Sequence, residues 1–172
     1  MEFTELIRYR ESVRDYDPSK KVPKEIVDRI LEAGRIAPSA SNLQPWEFLV
    51  VSSSEMLKKI HPSYPRSWFI NAPLVLIVKG KKDDAWVRRY DGYNSIETDL
   101  TIAMDHMILA AANEGLGTCW IAAFNPGILY EALGLKKDEV VFAITPIGYP
   151  SDNYQHSGSK SRKRIDEIVR FI

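Results

Sequence analysis

Apolar side chains recur every three to four positions in several stretches of this chain, and that spacing predicts helices. Phe3, Leu6, Ile7 and Tyr9 predict a short amphipathic helix that runs into Arg8, Arg10 and Arg14. After Pro23, the positions Ile26, Ile30, Leu31, Ile36 and Ala37 predict a second helix, which Pro38 stops. The broadest stripe is Leu100, Ala103, Met104, Met107, Ile108, Ala111 and Ala112; it predicts a long helix from about Ile96 to Glu114, ended by Gly115 and Gly117. Shorter helices are expected over Ser54–Ile60 and Pro126–Leu133. Strands are expected over Trp46–Val51, in the aliphatic run Leu74–Val78, over Thr118–Ala123 and over Val140–Ile147. Such a mixed order predicts a sheet covered by helices, of the α+β or the α/β kind. Between the second helix and the first strand, Ser39-Ala40-Ser41-Asn42-Leu43-Gln44-Pro45 is turn chemistry. From Ser151 to Lys163 the chain is polar and offers almost nothing to pack, before Ile165, Ile168, Val169 and Phe171 resume the apolar pattern. A polar spacer with an apolar end needs a surface to land on, and a partner subunit supplies one.

The composition narrows this picture. At 172 residues, 45% hydrophobic and 27% charged, residues 1–172 are expected to form a single domain with a real core. Because 23 Lys and Arg balance 23 Asp and Glu, no global field draws the chain to nucleic acid or an anionic membrane, so any basic site is local. No apolar run approaches the roughly 20 residues of a membrane-spanning helix, and Met1-Glu2-Phe3-Thr4-Glu5 does not open like a secretory leader, so the cytoplasm is the expected location. One cysteine, Cys119, leaves no internal disulfide, and His61, His106 and His156 lack ligand spacing, so no protein-held metal is expected. Cys119 reads as a small buried hydrophobe and His106 as a packing residue of the long helix. Neither a dinucleotide glycine fingerprint, nor a phosphate loop, nor a Gly-x-Ser-x-Gly elbow is present.

Three segments carry candidate chemistry. In Arg10-Glu11-Ser12-Val13-Arg14 two guanidinium groups flank a hydroxyl, which suits a phosphate or an electron-rich ring edge, although a solvated helix end looks the same. In Pro38-Ser39-Ala40-Ser41-Asn42-Leu43-Gln44-Pro45-Trp46 two prolines brace hydroxyls, an amide and backbone N–H groups, as a polar ligand edge requires and as an ordinary turn also provides. Lys160-Ser161-Arg162-Lys163-Arg164 is a dense basic run, the usual form of a solvated stretch or a weak polyanion contact.

Taken together these segments resemble the flavin-dependent nitroreductases, and the resemblance extends from Ile7 to Val169. Arg10, Ser12 and Arg14 match an Arg-x-Ser-x-Arg/Lys motif; Pro38, Ser39, Asn42, Gln44, Pro45 and Trp46 match Pro-Ser-x-x-Asn-x-Gln-Pro-Trp, the most specific of the set. Gly115 to Ile121 match a Gly-Leu-Gly-Thr/Ser-Cys-Trp-Ile segment, and Lys160, Ser161 and Arg162 a basic Ser-Arg motif. The resemblance implies an α+β nitroreductase-like fold, a mostly antiparallel central sheet covered by helices, whose C-terminal tail reaches a partner subunit. It implies a homodimer with FMN at the subunit interface and NADH or NADPH as electron donor. By carry-over, Arg10, Ser12, Lys160 and Arg162 would hold the FMN phosphate, and Arg14 would face the pyrimidine edge. Pro38, Ser39 and Asn42 of the other subunit would edge the isoalloxazine, and backbone groups of Ile121, Ala122 and Ala123 would lie near N5. No side chain is expected to be catalytic, the chemistry being the flavin's.

Three positions depart from the family pattern. Glu11 stands beside the expected phosphate where a basic residue is common, and must turn away or pair with Arg8 or another cation. Ala122 and Ala123 stand where glycine is frequent, each adding a methyl group. The chain also lacks the helical insertion that closes over substrate in longer members, so an open pocket is expected. The implied activity is hydride transfer through flavin to nitroaromatic, quinone or flavin acceptors, with Tyr9, Tyr64, Trp68, Phe69, Tyr90, Tyr93 and Phe124 as candidate stacking surface. Reductive dehalogenation or a specialised flavin oxidation is the alternative on the same fold. A small polyanion-binding scaffold is the alternative outside catalysis.

Overall fold

The computed structural model describes residues 1–172 and contains the strands β1 (Trp46–Val51), β2 (Leu74–Lys81), β3 (Gly117–Thr118) and β4 (Glu139–Gly148). They form one sheet in the order β1-β2-β4-β3, with every adjacent pair antiparallel. Seven helices surround it: α1 (Phe3–Tyr9), α2 (Lys24–Arg35), α3 (Ser54–Ile60), α4 (Ser67–Ile70), α5 (Ile96–Asn113), α6 (Pro126–Leu133) and α7 (Ile165–Ile168). The class is therefore α+β, and the expected helices and strands fall on observed elements. No helix is long and apolar enough to cross a membrane.

Alternation along β2 sorts the core into two layers. Leu74, Leu76 and Val78 face one way and pack with Ile147 against Ile30 of α2 and Leu100, Met104 and Met107 of α5. Val75 and Ile77 face the other way and pack with Ile144 against Leu57 and Ile60 of α3, Phe69 of α4 and Leu129 of α6. A strand buried on both faces is what the unbroken aliphatic run predicts. Phe69, a candidate for a stacking surface, is fully buried in this second layer and is withdrawn from that role.

The strand expected over Thr118–Ala123 is shorter than predicted. Only Gly117 and Thr118 join the ladder, and Ile121 makes one further bridge, to Ile144, in the same register. That register sets Pro146 opposite Cys119, and Pro146 has no N–H to donate at that step, so the ladder lapses and resumes at Ile121.

Two surfaces stay uncovered in the single chain. Helix α1 buries none of its residues, leaving Phe3, Ile7 and Tyr9 in solvent. At the other terminus Ile165, Ile168, Val169, Phe171 and Ile172 are exposed too.

Candidate functional site

Beyond β3, the chain from Ser12 runs parallel to Thr118, where Val13 N–H donates to the Thr118 carbonyl at 2.8 Å. Gly117 permits this approach, because a Cβ there would lie 2.7 Å from Val13 Cγ1. The placement puts Arg10, Ser12 and Arg14 around the Cys119 thiol, which is 3% exposed. Burial pushes that thiol up, against the opposing effect of the Arg14 charge, so Cys119 is a packed thiol and no nucleophile. Neither Arg10 nor Arg14 is matched to a carboxylate, in contrast to Arg29, Arg35, Arg88 and Arg164, each of which has one.

The C-terminal segment brings further cations to the same corner. Lys160 Nζ donates to the Ile7 carbonyl at 2.7 Å and to the Arg10 carbonyl, closing the end of α1. Burial, then the neighbouring Arg10 and Arg162 charges, hold the Lys160 ammonium below its ordinary value.

The polar stretch expected to pack against nothing is in fact fastened to the first twenty residues. Ser151 Oγ donates to Asp15 at 2.6 Å, and Lys20 Nζ pairs with Asp152 at 2.7 Å. Glu11 is the principal anchor: it accepts from Tyr154 Oη at 2.7 Å and Ser157 Oγ at 2.6 Å, and lies 3.1 Å from His156 Nδ1. Glu11 thus turns away from the cations, and its partners are these side chains and not Arg8. Burial favours its neutral form, but the hydrogen bonds from Ser157 and Tyr154 and the nearby His156 outweigh it and hold the carboxyl at about 2.

The Pro38–Trp46 segment lies elsewhere. Ser41, Asn42 and Gln44 adopt φ values of 50°, 55° and 51°, three non-glycine residues in the left-handed region within one short turn. Each such residue costs about 1 to 2 kcal/mol, less for asparagine, so the surrounding structure must hold the turn. Two contacts do so. Asp99, 1% exposed in α5, accepts from Ala40 N–H at 2.9 Å and from Ser95 Oγ at 2.7 Å. Ser39 Oγ accepts from Gln44 N–H at 2.9 Å. The hydroxyl of Ser39 is therefore already engaged as an acceptor, while Pro38, Ser41 and Asn42 face solvent. Asp99 went unnoticed in the sequence; its one signal was a carboxylate beside the buried stripe positions Ile96, Leu100 and Ala103.

Ile121 exchanges both backbone hydrogen bonds with Ile144, at 3.0 and 2.9 Å, so its N–H is already engaged within the sheet. Ala122 and Ala123 are exposed, and neither N–H has a partner within the chain, so these two retain free donors.

One chain does not bring these parts together. Trp46, which follows the Pro38–Pro45 turn, is in register with Gly80 and Val140 at one end of the sheet, whereas Ser12 is in register with Thr118, Ile147 and Leu74 at the other. The two stations are about 20 Å apart along the strands and about 19 Å apart across them. Arg10, Ser12, Arg14, Lys160 and Arg162 form one corner; Pro38, Ser39 and Asn42 form the opposite one.

This defines an α+β protein whose candidate site residues are split between two distant corners. The chain belongs to the nitroreductase family, whose sequence profile matches residues 7–66 and 61–149. A protein of Archaeoglobus fulgidus with the provisional name NADH dehydrogenase/NAD(P)H nitroreductase is 32% identical over 174 residues, covering 98% of this chain and 97% of that protein. Iodotyrosine deiodinase 1 of Rattus norvegicus is 28% identical, over 98% of this chain and 68% of its own length. Among solved structures, an FMN-dependent nitroreductase from Clostridium difficile R20291 superposes with a TM-score of 0.80 at 27% identity, covering 98% of both chains.

Proposed function

We propose that this chain is one half of a homodimeric, FMN-dependent oxidoreductase that passes a hydride from NADH or NADPH to nitroaromatic, quinone or flavin acceptors. The observation that carries this reading is the unmatched cation cluster at the β3 corner, separated by the breadth of the sheet from the turn that would complete the site. A second copy of the chain, related by a twofold axis, would set the Pro38–Asn42 turn of one subunit against Arg10–Arg14 of the other. The exposed apolar faces of α1 and the C-terminal tail supply surface for that association.

The residues fit the cofactor. Arg10, Ser12, Lys160 and Arg162 would hold a phosphate of nearly two negative charges through charge-assisted hydrogen bonds. Arg14 would stand at the pyrimidine edge, where a fixed cation stabilises the negative charge of a reduced flavin. The free N–H groups of Ala122 and Ala123 would donate at the edge bearing N5, and the partner's turn would exclude water from the ring. Bound there, FMN supplies the reversible two-electron chemistry, and no side chain of the protein need act as acid, base or nucleophile.

The test is direct. Purified protein should be yellow, release FMN on boiling, take up about one flavin per chain after reconstitution, and sediment as a dimer. A colourless protein that cannot be reconstituted would favour the polyanion-binding scaffold. The likeness to iodotyrosine deiodinase 1 favours a second reading, reductive dehalogenation. Reoxidation of the reduced, flavin-loaded protein by iodotyrosine but by neither nitroaromatics nor quinones would establish that reading.

A further inference from the structure

Between the two phosphate-motif residues Arg10 and Ser12 the chain carries a carboxylate, and the side chains around it account for its presence. Glu11 accepts hydrogen bonds from Tyr154 Oη at 2.7 Å, from Ser157 N–H at 3.1 Å and from Ser157 Oγ at 2.6 Å, with His156 Nδ1 3.1 Å away. Every one of these partners lies more than 140 residues along the chain, and they span the few residues before Lys160. The same Ser157 hydroxyl oxygen lies 2.9 Å from the Ser159 carbonyl oxygen, and Gly158, at φ 66°, turns the backbone between them. The turn delivers Lys160 Nζ to the Ile7 and Arg10 carbonyls. Tyr9 stacks at a tilt on His156, with ring centroids 4.4 Å apart, and closes the outer side.

We infer that Glu11 is a positioning residue for the anion site: it does not touch the phosphate, but staples the Tyr154–Ser157 strap so that Lys160 and Arg162 stand beside Arg10. The inference rests on the FMN reading above and deepens it. It also reverses the sign that proximity alone would give. A carboxylate free beside a phosphate repels it, so its removal should tighten binding. A carboxylate saturated by four neighbours and spent on holding two cations in place should, when removed, loosen it.

The experiment is a pair of fluorescence titrations, with FMN and with riboflavin, which lacks the phosphate. They are run on reconstituted wild type, Glu11→Ala, Glu11→Gln, Lys160→Ala and the double variant Glu11→Ala/Lys160→Ala. Glu11→Ala should lower the preference for FMN over riboflavin about tenfold while leaving riboflavin affinity near wild type. Glu11→Gln, which retains an acceptor oxygen for Ser157, should recover part of the loss. Once Lys160 is gone, the further change at Glu11 should cost less than it does in wild type, because part of its effect runs through Lys160. An FMN preference that is unchanged or raised in Glu11→Ala overturns the inference, as does full additivity in the double variant. Ser157→Ala, which removes one donor to Glu11 and leaves the anion, should move the ratio in the same direction, and serves if Glu11→Ala does not fold. Wild type that binds FMN no better than riboflavin overturns the phosphate site itself, a result distinct from failure of the Glu11 role alone.

Discussion

At the β3 corner, the segment from Ile7 to Glu11 is held by side chains from the far end of the sequence; at the β1 corner, the Pro38–Pro45 turn is held by its own Ser39 hydroxyl and one buried carboxylate. The first is an electrostatic device, assembled at the surface from groups that remain partly wet. The second is a steric device, in which three left-handed residues persist because Asp99 and the packing beneath them leave no other arrangement. Charge is tolerant of small displacements and backbone strain is not. Substitutions near the turn should therefore be felt more severely than those around the cations.

Gly80→Ala is the sharpest way to break the turn. It faces Trp46 across the β1–β2 ladder, and a Cβ on it would lie 2.0 Å from the Pro45 carbonyl oxygen, with Ile96 Cδ1 at 2.8 Å. Backbone cannot yield as a side-chain tip can, so the loss should reach at least about 3 kcal/mol. Reconstituted Gly80→Ala should unfold at clearly lower denaturant than wild type and lose flavin before it unfolds. A variant of wild-type midpoint would mean that the Pro45 carbonyl moves freely, and the steric account of this corner would fail.

Asp99→Ala tests the same corner from below. It strips the Ala40 N–H and the Ser95 hydroxyl of their acceptor, at a cost of about 2 kcal/mol. A fall of roughly 4 to 8 °C in Tm is expected for a chain of this size, accompanied by weaker FMN retention. Asp99→Asn keeps an acceptor for Ala40 and should recover about half. Loss of stability with flavin affinity intact would show that Asp99 supports α5 alone and does not set the turn.

How far each corner was legible follows from the same contrast. The helices, the buried β2 run and the cation motif are local patterns, and hydrophobic spacing or a dense basic run reports them directly. The turn was recognisable as turn chemistry from Ser39 to Pro45, yet its left-handed residues and their anchor were not. Asp99 lies more than fifty residues away and differs from any exposed helical acid only in its burial. The Ser151–Lys163 stretch misled for a different reason. Hydrophobicity cannot see a strap whose packing consists of Ser, Tyr and Lys groups bonded to carboxylates and carbonyls. Pro146 is a third case: its residue type was plain, but the gap it makes opposite Cys119 depends on a register that only the folded sheet defines.

The mildest probe is proton concentration, and it acts on the electrostatic corner. Glu11 is held at about 2 from an ordinary value of 4.5, so the folded state binds its proton less readily than the unfolded chain. The stabilisation this supplies is complete above about pH 4.5 and is lost as the pH falls toward 2, the window set by those two values. Because the site lies near the surface, the contribution is on the order of 1 kcal/mol, smaller than either change at the turn. Other carboxylates titrate in acid as well, so the informative quantity is the difference between wild type and Glu11→Gln. That difference should shrink steadily between pH 5 and pH 2.5 when unfolding is followed in urea at each pH. A gap that stays constant would show that the strap does not depend on the charge of Glu11, and would place both corners in the steric class.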